Sequence, residues 1–182
     1  MTIRSIREDI WNLHSSNSNN SVEINKQNLT SLPLSERHYL TLSIGANLWM
    51  NNLVSEDNSH ALLESSAYGD VLLGGLGFGS DVLLLRDKPL IDTICVVETD
   101  IDVIELVWTL VSSGYPNLSV YNDSLSNYLQ TTTKTFDMVW IDIFTQFISE
   151  LPEEEALLIQ QAQRVLKPNG KILFWKDADG DS

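Results

Sequence analysis

The chain has 182 residues, enough for one domain with a full hydrophobic core, and 11 basic against 25 acidic residues give a formal net charge of −14. A surface that acidic repels phosphate backbones and anionic membranes, which argues against a general nucleic-acid binder and a membrane-surface protein. It suits a cationic or neutral small molecule or a basic protein segment, although solubility alone would also explain it.

Along the chain, Ile3, Ile6, Ile10 and Leu13 recur at helical spacing and predict an amphipathic helix over 2–14. Ser15–Ser21 (SSNSNNS) is polar and aperiodic, and reads as a mobile linker. Beyond it Leu40, Leu42 and Ile44 alternate as in a strand, while Leu48, Trp49, Leu53 and Val54 suit a helix or a packed loop. Ser55 or Asp57 is placed to cap a helix carrying Ala61, Leu62 and Leu63 up to Tyr68.

From residue 70 the pattern is sharper. Five strand-like runs succeed one another: Val71–Leu73, Thr93–Val97, Leu118–Tyr121, Phe136–Asp142 and Lys171–Trp175. Helical stretches separate them at Ser80–Arg86, at Ile101–Ser112 with Val103, Ile104, Val107 and Leu110 inward, and at Glu153–Leu166. The last is expected to stop at LKPNGK, where Pro168 cannot sit within a helix and Asn169–Gly170 favours a turn. Strands alternating with helices predict an α/β, Rossmann-like fold with a mostly parallel sheet and helices on both faces. The expected division is a short, helical N-terminal extension over 1–68 and an α/β core over 69–182. That core looks truncated at the C-terminal end of the usual sheet, so either further strands come from the N-terminal region or the sheet is short.

Cys95 is the sole cysteine, which excludes an internal disulfide and a thiol zinc cluster, and its place in TICVVE marks a buried apolar position. No run approaches the roughly 20 apolar residues of a membrane span. The N-terminus lacks the apolar core of a secretory signal, so a cytoplasmic location is expected.

The candidate site begins at GLGFGS, where Gly75, Gly77 and Gly79 come after the first strand of the core. Such a turn lets a ligand approach the backbone in dinucleotide and S-adenosylmethionine (SAM) enzymes, or merely lets a helix pack closely on a sheet. Glu98 ends the second strand, nineteen residues after Gly79, where a ribose would be in reach; alone it could be a solvent-facing charge. Asp123 in YNDSLSNYL comes just past the third strand and could accept a hydrogen bond from an adenine amino group, cap the next helix, or do both. Asp142 ends the fourth strand, whereas Asp137 lies near its opposite end.

Taken in order, the glycine turn, VVETD, NDS, FDMVWID and RVLKPNGKILF resemble the class I SAM-dependent methyltransferase superfamily, and most nearly its spermidine-synthase-like branch. The resemblance covers roughly residues 69–176, and GANLWMNN (Gly45–Asn52) resembles a Trp-Met-polar segment ahead of the glycine motif in some small members. It implies SAM as cofactor, with the backbone around Gly75, Gly77 and Gly79 cradling its methionine part. It further implies Glu98 on the ribose, Asp123 with Ser124 at the adenine, and Asp142 facing the sulfonium. No metal is implied. Asp142 is then the candidate catalytic group, able to orient an acceptor or take its proton; the other reading is that it holds a loop or the cofactor's amino group.

Methyl transfer to a small-molecule acceptor is the expected activity. An aminopropyltransferase of that branch carries an acid inside the glycine motif and a second acid in the turn after the fourth strand. Phe78 stands in the first place, and the second turn runs Asp142-Ile143-Phe144-Thr145. Phe144, Phe147 and Trp49 suggest an aromatic wall or ordinary core packing. An Asn/Asp-Pro-Pro-aromatic tetrapeptide is absent after the fourth strand, which argues against methylation of amide or base nitrogens. Two other readings stay open: a non-catalytic nucleoside-binding protein of this fold, and an NAD-dependent oxidoreductase resting on the turn and Glu98 alone. An exposed sheet edge would invite pairing with a second copy; the 1–68 extension would serve as an oligomer element or, over residues 1–54 with their Ser-Asn run, as a lid on the pocket.

Overall fold

The computed structural model describes residues 3–31, 38–52, 57–143 and 152–175. Helix α1 (Ile3–Leu13) forms as the apolar spacing predicts and buries Ile6 and Ile10. After it the chain turns to sheet: β1 (Asn17–Asn19), β2 (Val22–Asn28), β3 (His38–Ile44) and β4 (Asn47–Asn51) pair antiparallel in chain order. Val22 and Ile24 of β2 and Leu40 and Leu42 of β3 are buried at every second position, as a strand with one face on a core requires.

Three expectations for this region are corrected. The extension is mostly strand rather than helical. Residues 47–51 form an edge strand, not a helix or loop; Leu53 and Val54 lie outside the described residues, as does Ser55. The supposed mobile linker is fastened. Asn17–Asn19 pair with β2, Asn19 Nδ2 donates to Glu105 Oε2 (2.6 Å), and Asn20 Nδ2 donates to Asp102 Oδ1 (3.0 Å). Ser21 gives both its backbone N–H and its hydroxyl to Asp102 Oδ2. Amide and hydroxyl side chains bonded to acids some 80 residues away leave no periodicity for a sequence reading to find.

Helix α2 (Asp57–Ser66) leads into the core unit. There β5 (Gly69–Gly74), α3 (Ser80–Leu85), β6 (Ile91–Glu98), α4 (Ile101–Ser112), β7 (Leu118–Asn122), α5 (Leu125–Thr131), β8 (Phe136–Ile141), α6 (Pro152–Arg164) and β9 (Leu166–Phe174) alternate as expected. The five strands are parallel in the order β7-β6-β5-β8-β9. The antiparallel strands do not extend this sheet; they make a second one. One apolar core joins Ile6, Ile10, Val22 and Leu42 of the N-terminal region to Val71, Leu73, Val82 and Trp140 of the α/β unit. A second lies under α5 and α6, around Leu72, Leu129, Val139 and Ala162. Cys95 is buried there, its Sγ 3.2 Å from the Tyr128 hydroxyl.

Two details of the core differ from the pattern reading. On α4 the inward residues are Val103, Val107 and Val111, with Ile104 half-buried and Leu110 39% exposed. LKPNGK is not outside the sheet. It opens β9 as an irregular start, Phe136 pairing with Leu166 and Met138 with Lys171, while Asn169 takes φ 68° to absorb the extra length. No helix among the described residues is long and apolar enough to cross a membrane.

The amino ends of β5 and β8 are tied by Lys167, whose Nζ lies 2.6 Å from Asp70 Oδ2 and 2.7 Å from Asp137 Oδ2. The ammonium, with Thr93, holds Asp70 below the usual carboxylate range, and it outweighs burial to do the same for Asp137. Carboxylates depressed in the folded state add stability above their unfolded pKa and lose it as pH falls through the folded value. Lys167→Met should therefore lower the melting temperature at pH 7, with the difference shrinking as pH falls through the lowered pKa values of the two acids; thermal melts across pH would read this.

Candidate functional site

The chain runs outward from β5 through β6 to β7, then returns to the other side of β5 with β8 and β9. The switch falls between β5 and β8, and open α/β sheets bind ligands outside the carboxyl ends of the strands at such a point. The glycine turn Gly74–Gly79 and Asp142 both stand there.

The turn needs its glycines for two separate reasons. Gly75 adopts φ 102°, and a side chain there would run into the backbone carbonyl of Asp142, so β8 can approach only a bare Cα. The approach is fixed by Gly75 N–H to Val97 O (2.9 Å) on one side and Asp142 N–H to Gly74 O (2.9 Å) on the other. At Gly77 (φ 49°) a Cβ would instead meet the Met50 side chain of β4, with Sδ at 2.5 Å. Gly79 faces Val107 and Val111 of α4, so this position serves close packing of helix on turn. The N-terminal region holds the turn from outside: His14 Nε2 donates to Phe78 O (2.8 Å), and burial pushes the His14 pKa down.

Glu98 is where a ribose-binding acid should be, and it already has work. Its Oε2 accepts the Leu76 N–H of the turn (2.9 Å), and its Oε1 accepts the Asp100 N–H (2.9 Å) and the Thr99 hydroxyl (3.3 Å). A carboxylate has about four lone-pair sites, so capacity remains for a further donor. Asp123 is brought beside Glu98 by its own N–H, which donates to Glu98 O (3.1 Å). The helix cap proper is Ser124, whose Oγ accepts Asn127 N–H (3.1 Å); Asp123 supports it through Ser124 N–H and the Asn127 amide. Gly75, Gly77, Glu98, Asp123 and Ser124 thus form one rim along the carboxyl ends of β5, β6 and β7.

Phe78 is buried to 1% exposure, its ring edge against His14, so this position lines no polar site. Trp49 is 45% exposed on β4. Phe144, Thr145 and Phe147 lie outside the described residues.

Asp142 has a neighbour that sequence reasoning missed. Asp81, on the first turn of α3, is close enough for its charge to act on Asp142. Part of Asp142 reaches solvent. Even so, withdrawal of its carboxyl from water, and then the charge of Asp81, push its pKa up. Burial likewise raises Asp81, against the opposing effect of the Trp140 indole N–H. His60 of α2 places Nε2 3.6 Å from Asp81 Oδ1. The available signal was an acid two residues past the last glycine, in a helix otherwise built of Val82, Leu83, Leu84 and Leu85.

No protein-family model matches the chain, and no curated protein sequence does. Solved structures do. The N-methyltransferase NodS from Bradyrhizobium japonicum matches with a TM-score of 0.54 at 17% identity, over 66% of this chain and 67% of that one. An S-adenosylmethionine-dependent methyltransferase from Clostridium acetobutylicum matches with a TM-score of 0.51 at 13% identity, over 68% of this chain and 50% of that one. Spermidine synthase from Thermotoga maritima matches with a TM-score of 0.54 at 16% identity, over 88% of this chain and 55% of that one, and so extends past the α/β unit into the N-terminal region. The fold of this chain is the one these proteins share, the Rossmann-like fold of class I SAM-dependent methyltransferases.

The two glycines should respond differently to alanine. Gly75→Ala meets backbone at a strained φ and should cost about 1–3 kcal/mol or more. Gly77→Ala meets only the flexible end of Met50 and should cost about 1 kcal/mol; denaturant titration of both variants checks the order. For the acid pair the sign runs the other way from the Lys167 triad, because a carboxyl raised in the folded state loses stability as pH climbs through its folded value. Asp81→Asn should raise the melting temperature of the ligand-free protein at about pH 9 and change it little at about pH 4.

Proposed function

We propose that the chain binds SAM across the carboxyl ends of β5 and β6 and transfers its methyl group to a small-molecule acceptor. The observation that carries this reading is the Glu98 carboxylate, which joins the glycine turn to the end of β6 at the switch point of the sheet. The residues fit such a cofactor. Gly75 leaves the turn bare of side chain where β8 closes on it, Glu98 has unused acceptor capacity, and Asp123 stands next to it.

In this reading Glu98 takes the ribose hydroxyls and Asp123 with Ser124 meets the adenine edge. The backbone of Gly75–Gly79 lies along the methionine part, with Met50 over Gly77 as a side chain flexible enough to give way. Bound SAM supplies a methyl group on a positive sulfur, already activated for transfer. The protein then has to align a nucleophile and keep water out. Asp142, at the carboxyl end of β8, is the group that orients the acceptor or receives its proton, and its raised pKa suits a group exchanging protons near neutrality. The acidic surface draws in a neutral or cationic acceptor more readily than an anionic one.

A second reading, aminopropyl transfer in the manner of the spermidine-synthase-like branch, is favoured by one observation. Asp81 beside Asp142 supplies the second carboxylate that the sequence pattern lacks at Phe78 and Thr145. Turnover of decarboxylated SAM with a diamine would establish that chemistry, and its absence alongside methyl transfer would reject it.

Calorimetric titration should show binding of SAM and of its demethylated product S-adenosylhomocysteine (SAH). Glu98→Ala should weaken both by at least about tenfold, with its melting temperature as the control for the lost Leu76 clamp. Tighter binding of NADH than of SAM would favour the oxidoreductase reading instead.

A further inference from the structure

The glycine turn meets the N-terminal region at two consecutive residues. Met50 of β4 lies against Gly77, and His14, directly after α1, reaches Phe78. The second contact is the more specific. Gly77 and Gly79, on either side of Phe78, take φ 49° and 80°, so the direction of the Phe78 carbonyl is bound up with the path of the turn. Among the described residues no backbone N–H donates to that carbonyl; its donor is His14 Nε2, at 2.8 Å. The His14 ring is 2% exposed and packs edge-on against the Phe78 ring, with centroids 5.8 Å apart. Its backbone N–H still bonds to Ile10 O (3.0 Å), so the ring continues the buried stripe of Ile6 and Ile10.

The contact suits only a neutral ring. A carbonyl can only accept, so Nε2 carries the hydrogen and Nδ1 of the neutral imidazole is a bare acceptor. Nδ1 is buried and has no partner. A second proton there would be a buried donor without an acceptor, on a ring now charged. Nothing nearby offsets that charge. Lys26 of β2 is the one charged group that acts on the ring, and it is a cation whose Nζ donates to the Trp11 and His14 carbonyls at 2.6 and 3.1 Å. The other described titratable groups on the elements around it, Glu8 and Asp9 of α1, Glu23 of β2, His38 of β3, His60 and Glu64 of α2 and Asp81 of α3, do not act on it. Burial, helped by Lys26, outweighs the Phe78 hydrogen bond and keeps the ring neutral to lower pH than usual.

We propose that His14 is the positioning residue of the cofactor turn: its neutral imidazole holds the Phe78 carbonyl so that the Gly77–Gly79 backbone is set for the ligand, and protonation frees ring and turn together. His14 touches no ligand itself and acts through the backbone of Phe78. The proposal rests on the SAM reading for the identity of the ligand, and the link between ring and turn stands without it. Released into water, the ring takes up a proton at about pH 6.5, the ordinary imidazole value, whereas the docked ring does so only at lower pH. The docked arrangement therefore holds in full above that value and loses ground as pH falls through it. By reciprocity, a ligand seated on the turn makes the ring harder to protonate.

The experiment compares wild type, His14→Gln and His14→Phe. Glutamine presents an amide N–H where Nε2 stands but does not titrate, and phenylalanine keeps a ring but loses the donor. Two quantities are read at about pH 7.5 and about pH 5.5. One is SAH affinity by calorimetry; the other is the protection of the Leu76 and Gly79 amides from hydrogen exchange in the ligand-free protein, both being bonded within the site. Between the two pH values wild type should lose at least about threefold more affinity than His14→Gln does. Asp81 and Asp142 titrate in both proteins, so the comparison cancels them. At the higher pH the conservative His14→Gln should bind SAH as wild type does, and His14→Phe should bind about fivefold more weakly with less protected amides. The proposal is overturned if His14→Gln falls with pH as wild type does, if it is as weak as His14→Phe at the higher pH, or if His14→Phe matches wild type. Should His14→Phe not fold, the comparison of wild type with His14→Gln across pH decides alone. Failure of the SAM reading looks different: wild type would bind no SAH at either pH. Amide protection would then still decide, since wild type should lose it on acidification where His14→Gln does not, and equal loss would overturn the link.

Discussion

The structure depends most on a single carboxylate reaching across a gap. Glu98 leaves the end of β6 and accepts the Leu76 N–H, so the glycine turn is held over the sheet. A glycine-rich segment loses more conformational entropy on ordering than any other, and without a fixed partner this turn would sample many shapes. Glu98 supplies that partner from one side and the Gly74 and Gly75 backbone bonds to Asp142 and Val97 supply it from the other. His14 and Met50 close it from the N-terminal region. The turn is therefore preorganised before any ligand arrives, which keeps the ordering cost out of the binding step.

That arrangement gives the N-terminal region a physical purpose. Its sheet shares an apolar core with the α/β unit, and Asn19, Asn20 and Ser21 anchor it to the acids of α4. A polar anchor at one end and apolar burial at the other place β4 over the glycine turn. Edge strand β4 sets Met50 against Gly77 and leaves Leu48 and Trp49 exposed on a protein that is otherwise strongly acidic.

The α/β half was legible in the sequence because its signals are local. Buried parallel strands read as continuous apolar runs, and the bounds of α4 were legible because its apolar positions repeat at helical spacing, although the face it buries runs through Val111 rather than Leu110. The places of Gly75, Gly77, Glu98, Asp123 and Ser124 along the strand ends were legible because each follows such a run. The N-terminal sheet was illegible for the opposite reason. Strands β1 and β4 carry asparagines and exposed apolar residues, and their order comes from pairing with β2 and β3 rather than from their own pattern. Asp81 escaped notice because its partner is 61 residues away. Only the fold brings the first turn of α3 close enough to the end of β8 for the charge of Asp81 to act on Asp142.

A crystal structure of the protein with SAH tests the central claim most directly. The account predicts the nucleoside over the carboxyl ends of β5 and β6, both ribose hydroxyls within hydrogen-bond distance of Glu98, and the adenine edge beside Asp123. A crevice filled by Met50 and neighbouring side chains, with the ligand elsewhere or absent at saturating concentration, would contradict it.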